Sequence, residues 1–275
     1  LAIGSDLPET TYFPNRKLTK ESSMTTRYPQ KFHRSLVAGP LLTALCISSS
    51  LLVIETAVAG ISFNPPGGGA PQGTRGGASR GDVICTQNPT APSRQQFMLL
   101  TPADSNYGLT LAGHPRLFAY IPPTTARQAF FSLKNEDGGV VYQTRFAIAG
   151  NGGVVQLNLP ESIPALVVGK NYQWGIAVLC SGKLRPDSPN ISAWVKRVEP
   201  VGKLGEQLPS SPSLEQVKLY GTNGIWYDTL ATLADLKLSQ SSDTSLTQTW
   251  NDLLGAVGLG EVASQPLVER VSLTD

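Results

Sequence analysis

Between Phe97 and Glu199, apolar and polar residues follow one another in short runs cut by turn residues. The runs predict strands at Phe97–Leu100, Leu109–Leu111, Arg116–Ile121, Ala129–Asn135, Val140–Ile148, Val154–Leu159, Tyr172–Cys180 and Ile191–Val198. A period of two is plainest in Val155-Gln156-Leu157-Asn158-Leu159 and at Tyr172, Trp174, Ile176 and Val178. That spacing puts every second side chain on one face of a sheet. Gly138-Gly139, Asn151-Gly152-Gly153 and Val168-Gly169-Lys170 separate the runs, and Glu136-Asp137-Gly138-Gly139 reads as a hairpin turn. Short strands about every dozen residues predict an antiparallel β-sandwich over residues 82–200.

After a Pro/Ser/Gly-bearing linker at 201–212, the period becomes helical, and residues 213–268 read as an α-helical C-terminal unit. Ser211, with Pro212 at the first helical position, is expected to open one helix, which Asn223-Gly224 breaks. Trp226, Leu230, Leu233 and Ala234 line one face of a second helix. Leu246, Trp250, Leu253, Leu254 and Val257 form the cleanest apolar stripe, with Asp243 as its N-cap and Gly258 as its stop. A short turn through Glu261–Ala263 follows. The pair around Asn223-Gly224 looks like one tetratricopeptide-type hairpin. A solenoid needs about three or more such repeats to bury its faces, so these helices are expected to pack on each other and on the sandwich. One local spacing sharpens the fold class. Leu166 lies six residues, and Gly169 three, before Tyr172, which opens a strand. This resembles the tyrosine corner of immunoglobulin and fibronectin-III domains, whose hydroxyl bonds back to nearby backbone.

The N-terminal region has a different texture. Lys31-Phe32-His33-Arg34 runs into Ser35–Ile54, a stretch without charge, and Ala57-Val58-Ala59 follows. That is the layout of a secretory signal peptide, with cleavage expected after Ala59 so that Gly60 becomes the new N-terminus. Met24 stands at a natural distance before the basic stub, and Leu1–Ser23 is expected to lie upstream of the start. Residues 1–59 therefore read as upstream segment and signal. Gly60–Gly81, rich in Gly, Pro, Ser and Asn, reads as a flexible leader.

Export changes the accounting of charge and cysteine. The whole chain carries a formal +2, yet residues 60–275 hold 16 basic and 16 acidic side chains. A neutral domain has no clustered cations for a phosphate backbone, so nucleic acid is not an expected partner. Cys85 and Cys180 remain beyond the signal. Two cysteines in an oxidising compartment point to one disulfide, with two buried free thiols as the alternative.

Three ordered motifs then bring a family into view. Gly73-Thr74-Arg75-Gly76-Gly77-Ala78-Ser79-Arg80-Gly81 precedes Cys85, Val168-Gly169-Lys170-Asn171-Tyr172-Gln173-Trp174 leads to Cys180, and Asn223-Gly224-Ile225-Trp226-Tyr227-Asp228-Thr229-Leu230 introduces the helices. Over roughly Gly73 to Val268 the chain resembles the exported cyanobacterial family known as domain of unknown function 928. The resemblance implies an envelope or extracellular setting and a shared fold, and it carries over no catalytic residue.

The residue chemistry points away from catalysis. Gly77-Ala78-Ser79-Arg80-Gly81 matches the pattern of a serine-hydrolase elbow, but that elbow needs a strand before it and a helix after it, and neither is predicted here. His114 would have to be the base of any triad. A glycine-rich hinge whose Arg75 and Arg80 dock against the sandwich fits better. The one histidine and two cysteines of residues 60–275 cannot complete a four-ligand His/Cys zinc site, and no calcium loop pattern occurs, so no metal or cofactor is expected. Trp226-Tyr227-Asp228 is the densest aromatic cluster and is read either as a partner contact or as packing with Asp228 at a helix N-terminus. The expectation is an exported, non-enzymatic module in the periplasm, outer envelope or extracellular space, without a membrane span after cleavage. It would contact an envelope protein through its helical hairpin or a sheet edge. The alternative is a polysaccharide-binding module using Tyr107, Tyr120 or Tyr142, and a hydrolase is the weakest reading.

Overall fold

Among the described residues the chain forms nine strands in two sheets. A computed structural model describes residues 60–67, 71, 85, 97–206, 209 and 211–273, all within one unit, Thr56–Asp275. In chain order the strands are β1 (Met98–Leu99), β2 (Tyr107–Thr110), β3 (Arg116–Ile121), β4 (Gln128–Asn135), β5 (Val140–Ala147), β6 (Gly153–Asn158), β7 (Asn171–Val178) and β8 (Asn190–Arg197). Helices α1 (Lys203–Glu206), α2 (Leu214–Thr222), α3 (Trp226–Ser239), α4 (Thr244–Ala256) and α5 (Gly260–Ala263) follow, and β9 (Leu267–Ser272) ends the series. A four-stranded sheet runs β1-β3-β6-β9, and a five-stranded sheet runs β2-β8-β7-β4-β5. Most neighbours are antiparallel, but β2 lies parallel to β8 and β9 parallel to β6, so both sheets are mixed.

Alternation decides what faces inward. Ala129, Phe131 and Leu133 of β4 are buried, as are Tyr172, Trp174 and Ile176 of β7, while the residues between them are at most half-buried. The hairpin turn forms where expected: Gly138 takes a φ of +84° and Asn135 N–H donates to Gly139 O at 2.8 Å. Tyr172 Oη accepts from Val167 N–H at 3.1 Å, the bond the Leu-Gly-Tyr spacing predicts.

Helix α3 is buried nearly all round, with Trp226, Tyr227, Leu230, Leu233 and Ala234 shielded. A helix of that kind belongs inside a core rather than on a surface. It packs on β2 and β3, and the approach to β2 depends on Gly108, where a Cβ would fall 2.9 Å from Tyr227 and 3.0 Å from Trp226. The stretch read as an α-helical C-terminal unit, 213–268, thus shares one core with both sheets. Its end is corrected, because Leu267–Ser272 returns as a strand on the edge of the four-stranded sheet. The linker at 201–212 contains α1, and the N-cap of α2 is Ser213, accepting from Gln216 N–H, rather than Ser211. Asp243 caps α4 by accepting from Ser245 N–H, and Gly258, at φ +79°, lies just past the helix end.

The leader expected to be flexible is anchored at its start. Ile61 is buried, Phe63 meets Trp226 edge-on with centroids 4.9 Å apart, and Asn64 N–H donates to Gly221 O at 3.1 Å. Two apolar residues at alternate positions suffice to dock an otherwise polar stretch. Ala57, Ala59, Ser79, Arg75, Arg80 and the signal segment lie outside the described residues; Gly60 is described and exposed.

Candidate functional site

Trp226-Tyr227-Asp228 splits its three side chains between core and cleft. Trp226 Nε1–H donates to Leu100 O at 2.7 Å, and Tyr227 Oη accepts from Trp174 Nε1–H at 2.8 Å while donating to Trp194 O at 2.9 Å. Both residues are buried, so neither is a partner contact, which corrects that half of the expectation. A Trp-Tyr pair with its polar atoms satisfied internally is what a wet core seam requires. Burial pushes the Tyr227 phenol far above its ordinary value, outweighing the bond from Trp174.

Asp228 turns toward the corner after β2 instead of capping α3. Its Oδ2 accepts from Thr110 Oγ1 at 2.7 Å and from Leu111 N–H at 3.1 Å. It borders a cleft of about 230 Å³ between the β2–β3 corner, α2 and α3. Burial raises its pKa, against the lowering effects of Thr110, Leu111 and Arg116. Tyr220, across the cleft, is raised first by burial and then by the Asp228 charge, while the Gln216 amide bonded to its hydroxyl works the other way. On the rim, Asp235 accepts from both Arg116 and Arg270. His114 Nε2–H donates to Ile163 O at 2.9 Å. Each of these groups ties one segment to another. Among the described residues no serine or threonine hydroxyl is bonded to His114.

A second concave region lies on the outer face of the five-stranded sheet. Register places Gln143, Ser132, Gly175 and Ser192 in one row across β5, β4, β7 and β8. Arg145, Phe130, Ala177 and Asn190 form the row on one side, and Lys134, Gln173 and Trp194 the row on the other. Small side chains in the middle row leave a trough of about 200 Å³. Its floor cannot carry a side chain at Gly175, where a Cβ would fall 2.7 Å from Ile191 O. Cross-strand bonds set the polar groups in place: Gln143 Nε2–H donates to Ser132 Oγ at 3.0 Å, and Gln173 Nε2–H to Ser192 Oγ at 3.3 Å. Sequence reading missed this trough because it is assembled from three strands, although the small outward residues Ser132, Gly175 and Ser192 were its signal. The tyrosines expected to meet a glycan are elsewhere: Tyr107, Tyr120 and Tyr142 are all buried, because each occupies a core-facing or helix-covered position.

Cys85 and Cys180 are joined as a disulfide, with Cα atoms 5.2 Å apart and a sequence separation of 95. It fastens Cys85 to the segment after β7, and Thr125 N–H, from the β3–β4 connection, donates to Cys85 O at 3.0 Å.

The motifs around Cys85, Tyr172 and Trp226 fall within a match, over residues 75–267, to the family described as Domain of Unknown Function (DUF928). The chain belongs to this family. The DUF928 match takes in both sheets and helices up to the first residue of β9. Comparison with curated proteins finds no match. Among the described residues of this DUF928 chain, no helix is long and apolar enough to cross a membrane.

Proposed function

We propose that this chain is an exported, non-catalytic binding module of the cell envelope whose partner meets the outer face of the five-stranded sheet. One observation carries the reading. The groups in the cleft that a catalyst would need are held as internal ties: Asp228 to the β2–β3 corner, Asp235 to two arginines, His114 to a carbonyl. A general acid, base or nucleophile works when it reaches a substrate atom, and these reach protein atoms. The disulfide favours an oxidising compartment. The docking of Ile61 and Phe63 supports export as well, since a chain anchored from Ile61 onward fits cleavage after Ala59.

The strand order β2-β8-β7-β4-β5 and the Tyr172–Val167 bond support an immunoglobulin-like sandwich, with β4, β7 and β8 in the places of its C, F and G strands. With the helical aromatics inside the core, the interface moves from the hairpin to the sheet. The polar trough favours the polysaccharide alternative over a partner protein.

The test is fractionation of host cells producing the tagged full chain, with free thiols trapped at lysis. The expected result is an oxidised Cys85–Cys180 pair in envelope or culture fractions. Retention there should be lost in Ser192→Trp, which fills the trough, and kept in Asp228→Asn and His114→Gln. Cytosolic protein with both thiols reduced, or retention indifferent to Ser192→Trp, would overturn it.

A further inference from the structure

The five-stranded sheet is electrostatically one-sided. Strands β4, β5, β7 and β8, eight residues each, contain Lys134, Arg145, Lys196 and Arg197 and no aspartate or glutamate. Residues 60–275 as a whole are neutral, so the acids have been kept off this sheet. Lys134 lines the trough beside Gln173, while Arg145 lies outside it on the same face, on edge strand β5 opposite Phe130, and neither belongs to an ion pair among the described residues. The floor is neutral, with Ser132, Gly175 and Ser192, and Phe130 and Trp194 are half-buried in the rows on either side of it.

Resting on the binding-module reading above, we infer that this trough binds an extended acidic polysaccharide. The chemistry selects against other polymers. The floor crosses three strands, about 10 Å at ordinary strand spacing, and the rows of Phe130 and Lys134 on either side stand about 13 Å apart. A peptide adding by strand pairing needs an open sheet edge, whereas the trough runs over backbone already paired between neighbours. A phosphate backbone calls for a dense run of cations, and this face offers Lys134, Arg145 and Lys196, set apart on three strands. A bilayer surface calls for an apolar face, and the floor is Ser132, Gly175 and Ser192. Sugar hydroxyls match the Ser and Gln groups, and carboxylates spaced along a glycan match Lys134 and Arg145.

Binding of the purified, oxidised chain to alginate and polygalacturonate decides the matter, with dextran, polyglutamate, duplex DNA and phosphatidylglycerol vesicles as competing probes. The expected result is binding to at least one uronic-acid polymer in preference to all four others. Lys134→Gln and Arg145→Gln should each weaken it by about tenfold or more, the size of a lost charge-assisted hydrogen bond. Ser192→Trp should abolish it. Lys218→Gln, on the exposed side of α2, should leave it unchanged, and circular dichroism should be the same for all variants. Equal binding to polyglutamate, DNA or vesicles would reduce the surface to an unselective cationic patch and overturn the inference. So would equal binding to dextran, indifference to the rim variants, or no binding to either uronic-acid polymer. If neither polymer binds while envelope retention still depends on Ser192, only the polysaccharide assignment falls and the binding-module reading stands.

Discussion

Asp228 and Tyr227 are neighbours on one helix, yet burial acts on them with different consequences. Tyr227 is an ordinary phenol kept neutral, and its hydroxyl serves two partners at once, Trp174 Nε1–H and Trp194 O. Tyr227→Phe strands both, and is expected to cost about 2–3 kcal/mol, read as a lower midpoint in urea unfolding. Asp228 is a carboxyl whose pKa burial raises, so the folded chain holds its proton more tightly than the unfolded chain does. Its contribution to stability is full below the ordinary carboxylate range and is lost as the pH rises through the raised value. Asp243 and Glu136 are shifted the other way, by bonds from Ser245 and from Lys170, and their contributions are lost as the pH falls. Comparing the protein with Asp228→Asn removes those shared terms. The amide oxygen can still accept from Thr110 and Leu111, so the stability of the native protein relative to the variant should rise as the pH falls from 7 toward 4. A difference that is flat with pH would refute the assignment.

At the scale of elements, three segments gain their structure from contacts made far away in sequence. β9 pairs with β6, α3 lies against β2 through Gly108, and the stretch from Gly60 to Pro66 lies on α2 and α3. That last stretch is held by Ile61, Phe63 and hydrogen bonds to α2, a backbone one from Asn64 N–H to Gly221 O and a side-chain one from Asn64 Nδ2–H to Thr222 O. Phe63→Ala removes the edge-on contact with Trp226. A loss of about 1–2 kcal/mol is expected for a half-buried aromatic. Hydrogen exchange should quicken at the Asn64 amide before it does in the sheets. Unchanged exchange there would mean that Phe63 contributes nothing to the anchoring.

For the whole molecule, sheets and helices unfold together if they share a core, as the common burial of β and α3 residues indicates. A single urea transition followed by both far-ultraviolet circular dichroism and tryptophan fluorescence is therefore expected. Separate transitions would restore a two-domain description. The disulfide acts at this scale as well, because it closes a loop of 95 residues. In the chain-entropy view it contributes up to about 4–5 kcal/mol, mainly by restricting the unfolded chain. The Cys85→Ser/Cys180→Ser variant should unfold at lower urea, and an unchanged midpoint would remove the bond from the account.

Local rules carried a good part of this. Strand positions followed from period two, the hairpin from Glu136-Asp137-Gly138-Gly139, α4 from its stripe and from Asp243 and Gly258, and the Tyr172 bond from a three-residue spacing. Such features depend on neighbours within a turn or two of chain, so the sequence alone determines them. Tertiary structure decided which side of α3 meets the core, that Leu267–Ser272 joins a sheet, that Ile61 and Phe63 are docked, and that Tyr107, Tyr120 and Tyr142 are hidden. It also assembled the trough, since Ser132, Gly175 and Ser192 become one surface only after three separate strands have paired in register. Periodicity assigns a residue to a face, and only pairing with distant strands settles what that face meets.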